Sequence, residues 1–287
     1  MAINRSADEV LWRVLLYTVL LSGAFISLMP FLYMVGTSLK TFGQTLTRVA
    51  PFPWMANFWP ELDRIQWVNY VEAWVTASFA QYFFNSLAIA TVNVTGTFLS
   101  TVLAAFAFAK LNFVGRDVVF SVVLATLMIP DDVKLIPNFL TISNLGLIDT
   151  IWALTIPFMG SAFFIFLIRQ FFRQVPNDLL ESARIDGATH FGMLWRIVVP
   201  LSKAPLFTMV FLAFTQAWND LQWALIVSRS ERWRPITVGL TRFINEAAAE
   251  THLRMAGTLI AMVPILLVYF AAQRQITDAI TRTGLKG

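Results

Sequence analysis

ESARIDGATHFGMLWRIVVPLSKAP, residues 181–205, decides how this chain is read. It is polar and helix-forming, and it lies among long apolar runs. Just upstream, Pro176, Asn177 and Asp178 make a helix start, because Asn or Asp can cap and an acid suits the positive end of the helix dipole. Leu179–Asp186 then gives two turns, with Glu181 and Arg184 one turn apart. Gly187 ends this helix at a tight bend. A second helix, Ala188–Val199, runs to Pro200. Helix, glycine bend and second helix predict a compact knob. Its small residues Ser182, Ala183 and Ala188 would let a partner surface approach closely. The same residues also fit a solvated amphipathic loop between two apolar helices.

The surroundings of this stretch are those of a membrane protein. The chain has 287 residues, 57% hydrophobic and only 13% charged, with a mean hydropathy of +0.66. Soluble domains carry about 25% charged residues. Phe (26) and Trp (10) are abundant, as expected of lipid-facing and interfacial positions. The net charge of +4 is spread along the chain, which argues against nucleic acid. The absence of Cys excludes disulfides and thiolate metal sites, and the isolated His190 and His252 do not make a metal centre.

Runs with little or no charge place the spans. They fall at 14–36, 82–108, 117–136, 150–169, 204–227 and 255–273, where a crossing needs about 20 residues. Residues 118–130 are too short alone and span only if the helix continues through Asp131–Leu135. The fold class expected is therefore an all-α integral membrane protein of six helices in one domain, 1–287, with the knob in loop 176–203. With the N-terminus inside, twelve Lys and Arg fall on inner segments and nine on outer ones, which favours both termini inside. The knob is then cytoplasmic. The first apolar run is too long for a signal peptide, and no cleavage site follows it. The outer segment Thr41–Gln81 holds Pro51, Phe52, Pro53, Trp54, Trp59, Trp67 and Trp74, and reads as interfacial helices and turns.

The pattern E-x-A-x2-D-G-A-x8-I-x2-P-L-x3-P, here Glu181, Ala183, Asp186, Gly187, Ala188, Ile197, Pro200, Leu201 and Pro205, resembles the coupling loop of permease subunits in bacterial ABC importers of the carbohydrate-uptake branch. Ser182 departs from that branch's middle alanine. Further likenesses are Pro30–Met34 with Thr37–Lys40, Phe84–Leu87, Ile129-Pro130, Ile136-Pro137, Leu145–Leu147, Trp218–Asp220 and Gly284–Gly287. They cover nearly the whole chain, and they are similar to the second permease of maltose and glycerol-3-phosphate type systems.

The resemblance implies a type I importer permease, not an enzyme, in a bacterial or archaeal cytoplasmic membrane. Its implied partners are a second permease, two ATPase subunits and an extracytoplasmic solute-binding protein. ATP and Mg would sit on the ATPase and no cofactor on this chain. Glu181 would contact the ATPase, Gly187 would permit the bend, and Ala183 and Ala188 would pack in the ATPase cleft. Ser182, Asp186, Ile197 and Pro200 complete the coupling set. A loop like Ser228–Arg254, with Arg232, Trp233 and Arg234, would reach the binding protein.

The residues themselves agree on what is missing. No G-x4-G-K-[ST] pattern exists, and Gly36–Thr41 is only a look-alike. Asn93–Thr95 matches a glycosylation sequon but lies within the second span. Intramembrane polar residues are the next candidates. Asn219, Asp220, Gln222 and Trp223 form a polar-aromatic patch near the outer end of the fifth span. Together with Asn85 they are candidates for a substrate path, and interfacial anchoring or an interhelix hydrogen bond explains them as well. Asp131 and Lys134 are spaced to pair. Asp131 and Asp132 alone are weak evidence for a metal. Gly96, Ser100 and Ala104 make a small-residue stripe suited to close helix packing. An oligopeptide or amino-acid permease fits less well, because D-G-A after the first helix and the terminal GLKG favour carbohydrate. A secondary transporter would need its own coupling-ion site and often inverted repeats. A membrane-embedded lipid enzyme would need clustered acids or His.

Overall fold

A computed structural model describes residues 5–46, 58–75, 78–246 and 250–284. Pro51–Trp54 and the terminal Leu285–Gly287 fall outside them. Among the described residues all regular structure is helical. In chain order the α-helices are α1 Arg5–Ser38, α2 Phe42–Leu46, α3 Val68–Val75, α4 Phe79–Lys110, α5 Arg116–Ala125, α6 Asp131–Asn144, α7 Ile151–Thr155, α8 Ala162–Gln174, α9 Asn177–Ile185, α10 His190–Met193, α11 Val199–Leu201, α12 Lys203–Asn219, α13 Gln222–Val227, α14 Ile236–Glu246 and α15 Thr251–Gly284.

Three stretches are long and apolar enough to cross a membrane as single helices: Glu9–Ser38, Phe79–Lys110 and Thr251–Gln273. Two more are bent pairs. Ile151–Phe158 and Ala162–Gln174 meet at 48°, and His190–Leu201 and Lys203–Asn219 meet at 86°. The expected run 117–136 is not one helix. After α5 a 3-10 turn, Thr126–Met128, leads to Ile129 at φ −91, ψ 114. Pro130 explains the break: it disfavours helical geometry at the residue before it and has no N–H to donate. Helix α6 starts directly after Pro130. Asp131 and Lys134 pair across its first turn at 2.5 Å.

The chain divides into two units, residues 1–79 with 240–261, and residues 80–239 with 262–287. In the first, α1 exposes Leu11, Leu15, Val19, Leu21 and Ile26. These are the side chains of a helix whose solvent is lipid. The end of α1 is held by Asn69 of α3, buried, whose amide donates to the carbonyls of Ser38 at 2.7 Å and Lys40 at 2.8 Å. Helix ends leave such carbonyls without intrahelical partners. A Cβ at Gly36 would collide with the Phe58 carbonyl, so only glycine fits there.

In the second unit, α4, α8, α12 and the 190–201 segment share a core built on Val102, Phe106, Phe164, Ile168, Phe172, Leu194 and Met209. A second cluster joins Ile89, Ile142, Leu154, Trp223 and Val238. The small-residue stripe of α4 packs within the chain. Gly96 faces the Met159 side chain so closely that a Cβ would meet it at 2.5 Å. Beside it, Thr97 donates to the Phe158 carbonyl at 3.2 Å and Ser100 to that of Met159. Those carbonyls belong to the break between α7 and α8. A broken helix in lipid must find new partners for its freed backbone groups, and α4 supplies two hydroxyls.

Candidate functional site

The knob is built locally. Helix α9 begins after Pro176 with no side-chain cap, so Asn177 and Asp178 lie inside the first turn rather than capping it. Gly187 takes φ +82. The N–H of Gly187 donates to Arg184 at 3.0 Å and that of Ala188 to Ala183 at 2.9 Å. This pair of bonds closes a Schellman cap, which needs the left-handed residue that glycine supplies without strain. Thr189 then caps the next helix, accepting from the Gly192 N–H at 3.1 Å. A π-helical turn, Leu194–Val198, precedes Pro200. A proline ring presses on the carbonyl four residues back, here Arg196, and the wider turn relieves it. The chain bends by 86° at Ser202 and enters α12.

The knob is fixed to the helical core. Leu180, Ala183, Ala188 and Ile197 pack half-buried against that core. Lys110, the last residue of α4, donates to the Val175 carbonyl at 2.5 Å and to Asn177 Oδ1 at 2.9 Å. Arg169, buried, donates to the Phe108 carbonyl at 3.0 Å and lies over the Phe120 ring at 3.9 Å. Ala183 and Ala188 therefore face the chain's own core, because the Schellman cap turns them inward. Glu181, Ser182, Asp186 and Pro200 are exposed. So are Ile185, at 87%, and Phe191, at 65%. These two apolar side chains are the part of the knob surface that the motif did not indicate. The sequence signal was two large apolar residues in an otherwise polar stretch. Arg184 Nη2 donates to His190 Nε2 at 2.9 Å and ties the two helices together.

The second candidate region is a cavity of about 770 Å3 within the second unit. It brings together Asn219, Asp220, Gln222 and Trp223 with Asp131, Asp132 and Lys134. The α7–α8 break, at Pro157–Ser161, contributes to its wall. Two of the candidates have structural work as well. Asp220 accepts from the Trp223 N–H at 3.3 Å, and its carbonyl accepts from the Thr237 hydroxyl at 2.8 Å. Trp223 is buried, with Nε1 donating to the Ala153 carbonyl at 2.8 Å and its ring edge-on to Phe158. Its indole N–H is thus spent inside the protein.

Asn85 is not among the cavity-lining residues. Its amide donates to the carbonyls of Arg232 and Arg234, 3.0 Å each, and so holds the 228–235 loop. Within that loop Arg234 donates to the Arg229 carbonyl at 2.9 Å and pairs with Glu231 at 3.7 Å. Trp233 packs on the second core cluster. Of the three loop candidates, Arg232 alone is classed as exposed. Asp149 was missed. It sits at φ +62, and its Oδ1 accepts from the N–H groups of both Arg229 and Ser230 at 3.0 Å. Burial raises its pKa, but hydrogen bonds from Ser230 and Arg229 and the charge of Arg234 outweigh that, and the carboxyl titrates below its ordinary value.

Residues 96–282, which hold the knob and most of the cavity lining, match the family model described as binding-protein-dependent transport system inner membrane component. The chain belongs to that family. It is a multi-pass inner-membrane permease subunit of an ABC transport system and not an enzyme. The permease is 33% identical to the lactose transport system permease protein LacG of Rhizobium radiobacter over 91% of this chain and 92% of that one. It is 31% identical to the arabinooligosaccharides transport system permease protein AraQ of Bacillus subtilis over 72% and 74%. It is 34% identical to the sn-glycerol-3-phosphate transport system permease protein UgpE of Brucella abortus over 74% and 76%. In fold, the permease is similar to a chain of a bacterial ABC transporter involved in import of the acidic polysaccharide alginate, with TM-score 0.83, 25% identity, and 96% and 100% of the two chains covered.

Proposed function

We propose that this permease, with a second permease, forms the translocation path for a sugar or sugar derivative delivered by an extracytoplasmic binding protein, and that two ATPase subunits drive it through the knob. The observation that carries the coupling role is the knob itself: a capped, rigid projection, anchored by Lys110 and the core, that presents Glu181, Ile185, Asp186 and Phe191 outward. A rigid lever transmits force that a floppy loop would absorb. The carbohydrate reading rests on permease relatives for lactose and arabinooligosaccharides.

The proposed topology has six crossings with both termini in the cytoplasm. Three are the single long helices, one is the bent pair Ile151–Phe158 with Ala162–Gln174, one is α12 with α13 beyond the 86° bend that separates it from the knob, and the sixth is the 116–144 segment broken at Pro130. The knob then faces the ATPase, and the 228–235 loop, with Arg232 outermost, faces the binding protein. Affinity purification from native membranes tests the assembly. An ATPase and a second permease should copurify in fixed ratio, and a chain that purifies alone contradicts the reading.

A further inference from the structure

Among the described residues that line the cavity, the charged side chains are Asp131, Asp132, Asp220 and Lys134. Lys134 is engaged by Asp131 at 2.5 Å. Asp132 and Asp220 have no counter-charge within ion-pair distance among the described residues. The rest of the polar lining includes amides, namely Asn138, Gln216, Asn219 and Gln222, which can donate as well as accept. Phe158 and Phe163 add partly exposed ring surface.

We propose that the cargo passing this wall is an uncharged, hydroxyl-rich sugar, and that Asp220 is one of its hydrogen-bond acceptors. This rests on the translocation role given above and specifies the class of its cargo. A phosphate or uronate in this cavity would meet Asp132 at its exposed rim and Asp220 in its wall, with Lys134 already engaged by Asp131, so like charge opposes it and no lining cation is free to pair it. A neutral sugar feels no such repulsion, and its O–H groups are donors. Asp220 uses one oxygen for the Trp223 N–H. Its second oxygen takes no hydrogen bond from the described residues and is open to a hydroxyl. The relatives named above transport both neutral and phosphorylated cargo by their names, so membership in the family leaves the charge of the cargo open, and the charge of this chain's wall favours the neutral class.

The complete importer, with its binding protein, reconstituted in proteoliposomes gives the test. ATPase stimulation is measured with lactose and arabinotriose as neutral probes, and with sn-glycerol 3-phosphate and an alginate trisaccharide as acidic ones. Stimulation by a neutral probe and none by an acidic one supports the proposal. Stimulation by an acidic probe overturns it and leaves the importer reading standing. Failure of this chain to assemble with an ATPase and a second permease overturns the importer reading and the proposal with it. With the stimulating neutral sugar, Asp220→Asn, which keeps an acceptor but loses its charge, raises the uptake KM roughly fivefold, the order expected when a charge-assisted hydrogen bond becomes a neutral one. Because Asp220 also supports α13, Asp132→Asn, at an exposed position, is the second variant, with an expected KM rise of a fewfold. An unchanged KM in both variants overturns the role of this wall.

Discussion

The backbone N–H of Ala188 donates to the carbonyl of Ala183 at 2.9 Å, and this bond closes the knob around Gly187. The geometry separates two uses of Gly187 that a mutation would otherwise confuse. No atom lies within 4 Å of a Cβ built there, so the only local cost of a side chain is the left-handed backbone. Gly187→Ala should lower stability by about 1 kcal/mol. Gly187→Asn should cost less, since Asn tolerates that conformation. If transport needs only the bend, the Asn variant works. The account predicts that it fails along with Gly187→Asp, because a partner approaches closely at this point. Cargo uptake beside a thermal melt of the purified complex separates the outcomes.

Asp149 gives a pH-dependent prediction. Its carboxyl is held below the ordinary value of about 3.9. The ionised form therefore stabilises the folded state above that ordinary value, and the contribution is lost as pH falls through the lowered one. Melting of the wild type should decline below about pH 4 more steeply than melting of Asp149→Asn, which keeps an acceptor without a titratable group. Asp149→Ala loses both acceptor and a residue suited to φ +62, at a cost of about 2 kcal/mol. Parallel melting profiles for wild type and Asp149→Asn would contradict the clasp.

The broken helix α7–α8 depends on hydroxyls from α4. Thr97→Val and Ser100→Ala each remove the hydrogen from a carbonyl inside the bundle, and each should destabilise by roughly 1–3 kcal/mol. The double variant should cost more than either. A melting temperature unchanged in both single variants would show that the Phe158 and Met159 carbonyls find other partners.

The knob was legible because its determinants are local. Pro176, Gly187 and Pro200 lie within a 25-residue window and mark its start, bend and end. The break at Pro130 had a visible cause too, and the sequence left that segment conditional on a helix running past it. The bend inside 150–169 was passed over because the run is uncharged, although Pro157, Gly160 and Ser161 were there to signal it. Long-range partners were not legible at all. Asp149 meets Arg229 across 80 residues, Trp223 meets Ala153 across 70, and Asn85 meets Arg232 across 147. Hydrophobic periodicity has no means to pair them. For the same reason Asn85 read as a path residue when its amide holds a loop, and the packing of Ala183 and Ala188 against the chain's own core was not visible.

Lys110 tests whether the knob acts as a lever. Lys110→Met keeps the aliphatic stem and removes the bonds to Val175 and Asn177. The expected result is ATP hydrolysis that continues while cargo uptake falls. Equal loss of both activities would point to a general folding defect and count against a lever.

The central claim is that an ATPase subunit docks on the knob. The chain contains no Cys, so Ser182→Cys introduces a single thiol at an exposed position of α9. Photo-crosslinking from that thiol in the native complex measures the contact directly. The account predicts a crosslink to the ATPase subunit whose yield changes when nucleotide closes the ATPase dimer. A crosslink only to the other permease or to the binding protein, or labelling of this thiol by an impermeant reagent from outside intact cells, would contradict it.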